Sequence, residues 1–280
     1  MRTVLLAFFL FTVQDMSAKS HRSRQGEAIK MMNGFPVVRT FINGQGPFRM
    51  LIDTGSARCA VRRSVAIQAG LVPHRQVLLS TMLNQKLVGV ATAAVRVASI
   101  DSEETEVVIN DLPDLDGFEP HIDGLLGQSF LANGSYLIDY RARRLWLGDI
   151  AAAKAQRLGP PIQVEFSSKR PVFPVEIDSK AAPVRLILDS GVDHLVLRCA
   201  HRCGTLLDEH SVRAVTNAGE MLVQKGRLPV AAVFSKKFFR MEAVSLRKPA
   251  DPNNAEGSLP LGWLSAIYVD PVQRVVRIPR

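Results

Sequence analysis

The chain has 280 residues, of which 16 are proline and 19 glycine; 47% are hydrophobic and 22% charged, and the formal charge is +9. This balance excludes a collagen-like or disordered polymer, and the length suits two domains or one large bilobal unit with a sizeable core. The positive charge permits an anionic partner, yet Arg62-Arg63, Arg141 with Arg143-Arg144, and Lys236-Lys237 are scattered and lack the interleaved aromatics of a nucleic-acid module, so no nucleic-acid partner is expected.

In chain order, the opening "MRTVLLAFFLFTVQDMSAKS" carries one Arg, an apolar run from Val4 to Val13 and small residues at Ser17 and Ala18. The run is short beside the roughly 20 residues of a membrane span and has the layout of a secretory signal. Residues 1–18 are therefore predicted to be a signal peptide, with a retained anchor or a buried strand as alternatives. The mature chain is expected to be exported, periplasmic or extracellular, without a membrane span. Residues 19–30, "KSHRSRQGEAIK", read as a flexible basic leader.

From there the pattern is one of short β-branched runs broken by Gly, Asn, Asp and Pro. Strands are predicted at "FPVVRTFING", "FRMLID", "VLLSTM", "LVGVATAAVRVASI", "TEVVIN" and "RLWLG", then at "FPVEID", "VRLILD", "RAVTN", "LPVAAVF", "MEAVSL" and "RVVRI". "NGQGPF", Asn43 to Phe48, reads as a hairpin turn rather than a phosphate cradle. Short helices are predicted only at "RRSVAIQAG" and "LRCAHRCG". Such a run of short strands argues all-β, sandwich or barrel.

The two halves repeat. A shift of 136 residues superposes Pro47 on Pro183, Arg49 on Arg185, Asp53 on Asp189, Gly55 on Gly191 and Arg62 on Arg198. The halves also end alike, in a Leu-Gly, then Ile138-Asp139 or Val269-Asp270, then a basic residue and an apolar run. The expected division is a first lobe over 31–150, a linker over 151–161 where "AAAKAQRLGPP" ends in Gly-Pro-Pro, and a second lobe over 162–280.

The repeat carries its chemistry at "MLIDTGSARC" and "LILDSGVDHL". A carboxylate closing a buried strand is costly unless it is hydrogen-bonded or paired. Thr54 and Ser190 supply hydroxyls that can brace a turn, and Gly55 and Gly191 let backbone N–H groups approach the carboxylate. One such element is an ordinary turn; two at matched positions of a repeat suggest that Asp53 and Asp189 meet across a pseudo-twofold axis, share a proton and act as paired base and acid on a water. That chemistry needs no cofactor. Cys59, Cys199 and Cys203, even with the four-residue spacing of the last two, supply no metal site with any His at usable spacing, and no metal is expected. Cys199 and Cys203 could bridge or remain two buried thiols.

These residues resemble the aspartic peptidases of the retropepsin and pepsin type, in which each lobe has Asp-Thr/Ser-Gly and, later, two apolar residues and Gly. The first lobe offers Asp53-Thr54-Gly55-Ser56 with Leu125-Leu126-Gly127; the second offers Asp189-Ser190-Gly191 with Pro260-Leu261-Gly262. The likeness is greatest to the bacterial group that joins two retropepsin-like lobes in one polypeptide. It implies two β-barrel lobes around a cleft, catalysis by Asp53 and Asp189, Thr54 and Ser190 hydroxyls bonding to the opposite lobe, a peptide or protein substrate, a monomer, and no cofactor. It also implies a covering hairpin from Ser80 to Gly89, with a counterpart from Thr216 to Gly226. The departures are Val192, Asp193 and His194 after the second Asp-Ser-Gly, where Ala, Ser or Thr is usual, and Pro260 in the second apolar-Gly element. They motivate an alternative: a catalytically decayed peptide-binding or regulatory protein on the same fold.

Overall fold

In a computed structural model, residues 26–80, 85–177, 182–198, 206–216, 219–234, 236–246 and 255–280 are described. The predicted signal segment, most of the expected leader, the tips of the two expected hairpins and the Cys199–Cys203 region lie outside them.

Two eight-stranded sheets with the same strand order build the two lobes. In the first lobe the order is Lys30–Met32, Phe35–Ile42, Gln45–Ile52, Gly124–Leu126, Cys59–Val61, Ile100–Ile109, Gln85–Val97 and Arg75–Ser80. In the second it is Glu165–Ser167, Arg170–Val175, Val184–Asp189, Gly257–Pro260, Leu195–Leu197, Lys236–Ser245, Gly219–Val233 and Leu207–Thr216. Each sheet curls on itself: Phe41 and Ile42 pair with Arg96 and Val95 in the first lobe, and Glu176 pairs with Ala232 in the second. This is the expected all-β pair of lobes. The turn at Asn43-Gly44 joins two antiparallel strands, as the hairpin reading required, with both residues at the positive φ such a turn demands.

The alternation along these strands explains their place. In Gln45–Ile52 the stretch Met50, Leu51 and Ile52 is almost wholly buried, because this strand lies inside its sheet with neighbours on both edges. Val184–Asp189 repeats the pattern with Leu186 and Leu188 at 0% exposure. The helix Arg63–Gln68 forms where predicted, burying Val65 and Ala66.

A third, six-stranded sheet joins the lobes, in the order Glu27–Ala28, Arg144–Leu147, Tyr136–Asp139, Ala266–Asp270, Val275–Arg277 and Ile162–Gln163. At its centre Tyr136–Asp139 runs antiparallel to Ala266–Asp270, with Leu137 opposite Tyr268 and the flanking pairs arranged symmetrically about them. The repeated apolar-Asp ends of the two halves thus become the seam between them. Side chains of both lobes, among them Ile52, Leu126, Ile138, Leu188, Leu259 and Ile267, merge in one continuous core. At roughly 1.5–3 kcal/mol for each fully buried aliphatic side chain, that shared core holds the lobes against one another.

Two boundaries change. Glu27–Ala28 and Lys30–Met32 are strands and Ile29 is buried, so the end of the supposed flexible leader is part of the fold. The supposed linker over 151–161 begins inside the helix Gly148–Ala155, which packs Ala151 and Ala155 against Leu137, Trp146 and Tyr268 of the interlobe sheet. The Ala-rich run resembles a spacer in composition, but its helix propensity and small side chains suit it to close packing on a sheet.

Candidate active site

The site grows from two strand ends. Gln45–Ile52 delivers Asp53 and Val184–Asp189 delivers Asp189, each beside a parallel partner strand that supports the loop from below. Asp53 N–H donates to the Leu126 carbonyl at 3.0 Å, and Leu261 N–H donates to the Asp189 carbonyl at 3.1 Å.

The loops interlock. The Thr54 hydroxyl donates to the Leu188 carbonyl at 2.7 Å and accepts the Ser190 N–H at 2.9 Å; the Ser190 hydroxyl donates to the Ile52 carbonyl at 2.7 Å and accepts the Thr54 N–H at 3.0 Å. Both side chains are buried, and this four-bond ring is the cross-lobe bracing expected of these hydroxyls. Gln128, fully buried, adds a support that the sequence alone did not reveal: its amide donates to the Thr54 carbonyl at 2.9 Å and to the Tyr136 hydroxyl at 3.0 Å.

Bracing brings the carboxylates together. Each lies over the glycine of the other loop: a Cβ at Gly55 would stand 2.1 Å from Asp189 Oδ2, and one at Gly191 would stand 2.7 Å from Asp53 Cγ. Each carboxyl therefore lies against the loop that carries the other. Burial pushes both pKa values up, and the neighbouring Asp189 charge pushes Asp53 further. Opposing this, Asp53 Oδ1 accepts the N–H groups of Gly55 at 3.0 Å and Ser56 at 2.9 Å, whereas Asp189 Oδ1 accepts that of Gly191 at 2.8 Å. Two carboxyls so placed resist ionising together, which is why both stand above the usual carboxylate range.

The second loop departs from the expectation. Strand register sets Ile187 opposite Ser258, Leu188 opposite Leu259 and Asp189 opposite Pro260, as Leu51 and Ile52 face Leu125 and Leu126. The counterpart of Leu125-Leu126-Gly127 is thus Ser258-Leu259-Pro260, not Pro260-Leu261-Gly262. Gly127 is packed so tightly that a Cβ would meet the Arg58 carbonyl at 2.2 Å, while Gly262 is exposed with nothing near it. Leu261 remains at the site through its N–H, but Gly262 does not take part. The Ser258 hydroxyl, buried where the first lobe has Leu125, makes no hydrogen bond in the structure but lies near enough to Asp189 to favour its ionised form.

Val192 changes less than its side chain suggests. Its counterpart Ser56 turns its hydroxyl to the Arg58 carbonyl at 2.8 Å, away from Asp53, and serves the carboxylate through its N–H. Among the described residues Val192 contributes no such N–H, so the second carboxylate has one fewer backbone donor. Asp193 is held by His194 Nδ1 at 2.5 Å, and His194 Nε2 lies 2.9 Å from Glu242. That pair lines the cleft wall rather than touching the dyad.

Around the carboxyls opens a cleft of about 950 Å³ lined by both lobes. Val77, Leu78 and Leu79 of the hairpin Arg75–Ser80 with Gln85–Val97 enter it from one side, and Ala214 and Val223 of the hairpin Leu207–Thr216 with Gly219–Val233 from the other. Among the described residues no group of His, Cys, Asp and Glu could hold a metal, and no helix is long and apolar enough to cross a membrane.

The aspartyl protease family model matches residues 38–130, the segment that holds Asp53-Thr54-Gly55 and Leu125-Leu126-Gly127. Among solved structures the chain is similar to the aspartic proteinase from Irpex lacteus, with a TM-score of 0.54 and 11% identity over 91% of this chain and 96% of that one. No curated protein matches. Fold and matched segment together define a pepsin- and retropepsin-like aspartic protease architecture, built here from two lobes in one polypeptide.

Proposed function

We propose that this protein is an aspartic endopeptidase that hydrolyses peptide bonds with a water activated between Asp53 and Asp189. The observation that carries the reading is the pair itself: a half-buried Asp53 and a buried Asp189 from opposite lobes, each over the other's glycine, with raised pKa values. The ionised member takes a proton from the water as it attacks the peptide carbonyl, and the protonated member donates to the carbonyl oxygen. Collapse of the tetrahedral adduct returns a proton to the leaving amine and restores the shared one. The Thr54–Ser190 ring keeps both groups fixed while charge moves. An extended peptide suits a cleft walled by two hairpins. Export and a monomeric state belong to the same proposal, the first resting on residues 1–18 and the second on both halves of the pair being present in one chain.

A second reading, a peptide-binding protein with a decayed second site, draws on the single backbone donor at Asp189. The Ser258 hydroxyl and the intact ring weigh against it. The test is cleavage of a randomised octapeptide mixture by the full chain from acid to neutral pH, beside Asp53→Asn and Asp189→Asn. Cleavage is expected in the native chain and in neither variant. Cleavage persisting in both variants, or peptide binding without cleavage in the native chain, refutes the catalytic reading.

A further inference from the structure

Electrostatics divide the cleft in two. The first-lobe wall presents Glu104 and Asp114, and its arginine, Arg58, is bound to Glu106 at 2.8 Å. The second-lobe wall presents Lys169, Arg170 and Arg198, while its one acidic side chain besides the catalytic Asp189, Asp193, is engaged by His194. Among the described residues none of those three cations makes an ion pair.

Arg170 is the most telling of them. Its place in the repeat is that of Phe35: each residue opens a strand after a tight turn, Asn33-Gly34 or Ser168-Lys169, with positive φ at both turn residues, and each faces the last residue before the turn, Met32 or Ser167. Phe35 is satisfied by packing edge-on against Phe118, with ring centroids 5.7 Å apart. Arg170 puts a charge in the equivalent half-buried position, close enough to the dyad to feel both carboxyls. Its one hydrogen bond among the described residues runs from Nε to the Ser167 carbonyl at 3.1 Å. The terminal guanidinium nitrogens, a fork that suits a carboxylate, have no described partner in a cleft where desolvation is expensive.

We propose that Arg170 is a specificity-determining residue that docks an acidic side chain of the bound peptide on the second-lobe side of the scissile bond. Lys169 and Arg198 add to the attraction at longer range, and the carboxylates of the opposite wall disfavour the same side chain there, so charge sets the direction in which a peptide lies. The inference rests on the peptidase reading for its scissile bond, but not for the acidic preference itself.

The test uses the full chain and peptides cut from the randomised mixture, resynthesised as Glu and Gln pairs at each position around the cleaved bond. At one position on one side Glu should exceed Gln in kcat/KM by about tenfold to a hundredfold, the range of a charge-assisted hydrogen bond. Arg170→Gln should abolish that ratio, Arg170→Glu should turn it toward Lys, and Arg170→Lys, which keeps the charge without the fork, should retain part of it. An effect on the dyad alone would change Glu and Gln peptides equally, so a Glu preference that survives Arg170→Gln overturns the proposal, as does the absence of any preference. Fluorescence anisotropy of labelled Glu-containing and Gln-containing octapeptide pools on the Asp53→Asn variant separates the two claims. A chain that cleaves nothing yet binds the Glu pool more tightly through Arg170 refutes catalysis and upholds the acidic site; cleavage with equal binding does the reverse.

Discussion

Thr54→Val removes one hydroxyl and keeps the shape of the side chain, which isolates the cross-lobe ring. The hydroxyl makes two bonds, to the Leu188 carbonyl at 2.7 Å and from the Ser190 N–H at 2.9 Å, both between lobes and both buried. A net bond is worth about 1 kcal/mol and an orphaned buried partner costs about 1–3 kcal/mol, so the loss should be about 2–5 kcal/mol. Against a total stability of about 5–15 kcal/mol that is a large share. In a chain of this size it corresponds to a fall of roughly 5–15 °C in Tm. Urea unfolding, followed by fluorescence of Trp146 and Trp263 together with far-ultraviolet circular dichroism, measures it; Thr54→Ser restores the hydroxyl and should recover most of the loss. A change below about 0.5 kcal/mol, the scale of an ordinary surface substitution, would refute the claim that the ring binds the lobes.

Two further outcomes are expected. Gly55→Ala should fold with a displaced Asp189, because its Cβ has no room beside that carboxyl, and its kcat should drop by at least about a hundredfold, as for a misplaced reacting group; near-native kcat would contradict the interlocked geometry. The second concerns pH. Burial raises the pKa of Asp114, in the first-lobe wall of the cleft, to about 6. Its unfolded value is about 3.9, so between these the folded chain holds more protons than the unfolded chain, and stability falls as pH rises through that window. Asp114→Asn removes this contribution, and its stability relative to the native chain should increase from pH 4 to pH 7; a relative stability independent of pH in urea titrations would exclude it.

Much of the site was legible in the chain because its chemistry is local. Asp53-Thr54-Gly55 and Asp189-Ser190-Gly191 each combine carboxylate, hydroxyl and permissive backbone within three residues, and the alternating β-branched runs around them announce an all-β fold. Matching the two elements across 136 residues suggested their meeting. The signals failed where position depends on partners far away in sequence. Nothing adjacent to Pro260 says that Ser258, rather than Leu261-Gly262, continues the second catalytic strand; parallel pairing with Val184–Asp189 sets that register, and the resemblance at Leu-Gly was one of composition alone. Nothing near Ala151 distinguishes a spacer from a helix until the interlobe sheet is there to receive it.

The sequence by itself thus determined the strands and the two carboxylate turns, since these follow from residue type and short-range periodicity. Only the tertiary structure decided that the ends of the two halves share one sheet, that each Asp sits over the other lobe's glycine, and that Arg170 stands in the cleft where its counterpart is Phe35. The physical reason is that hydrogen-bond pairing, burial and charge proximity between distant segments are set by closing long loops against one common core, and no local pattern encodes that closure.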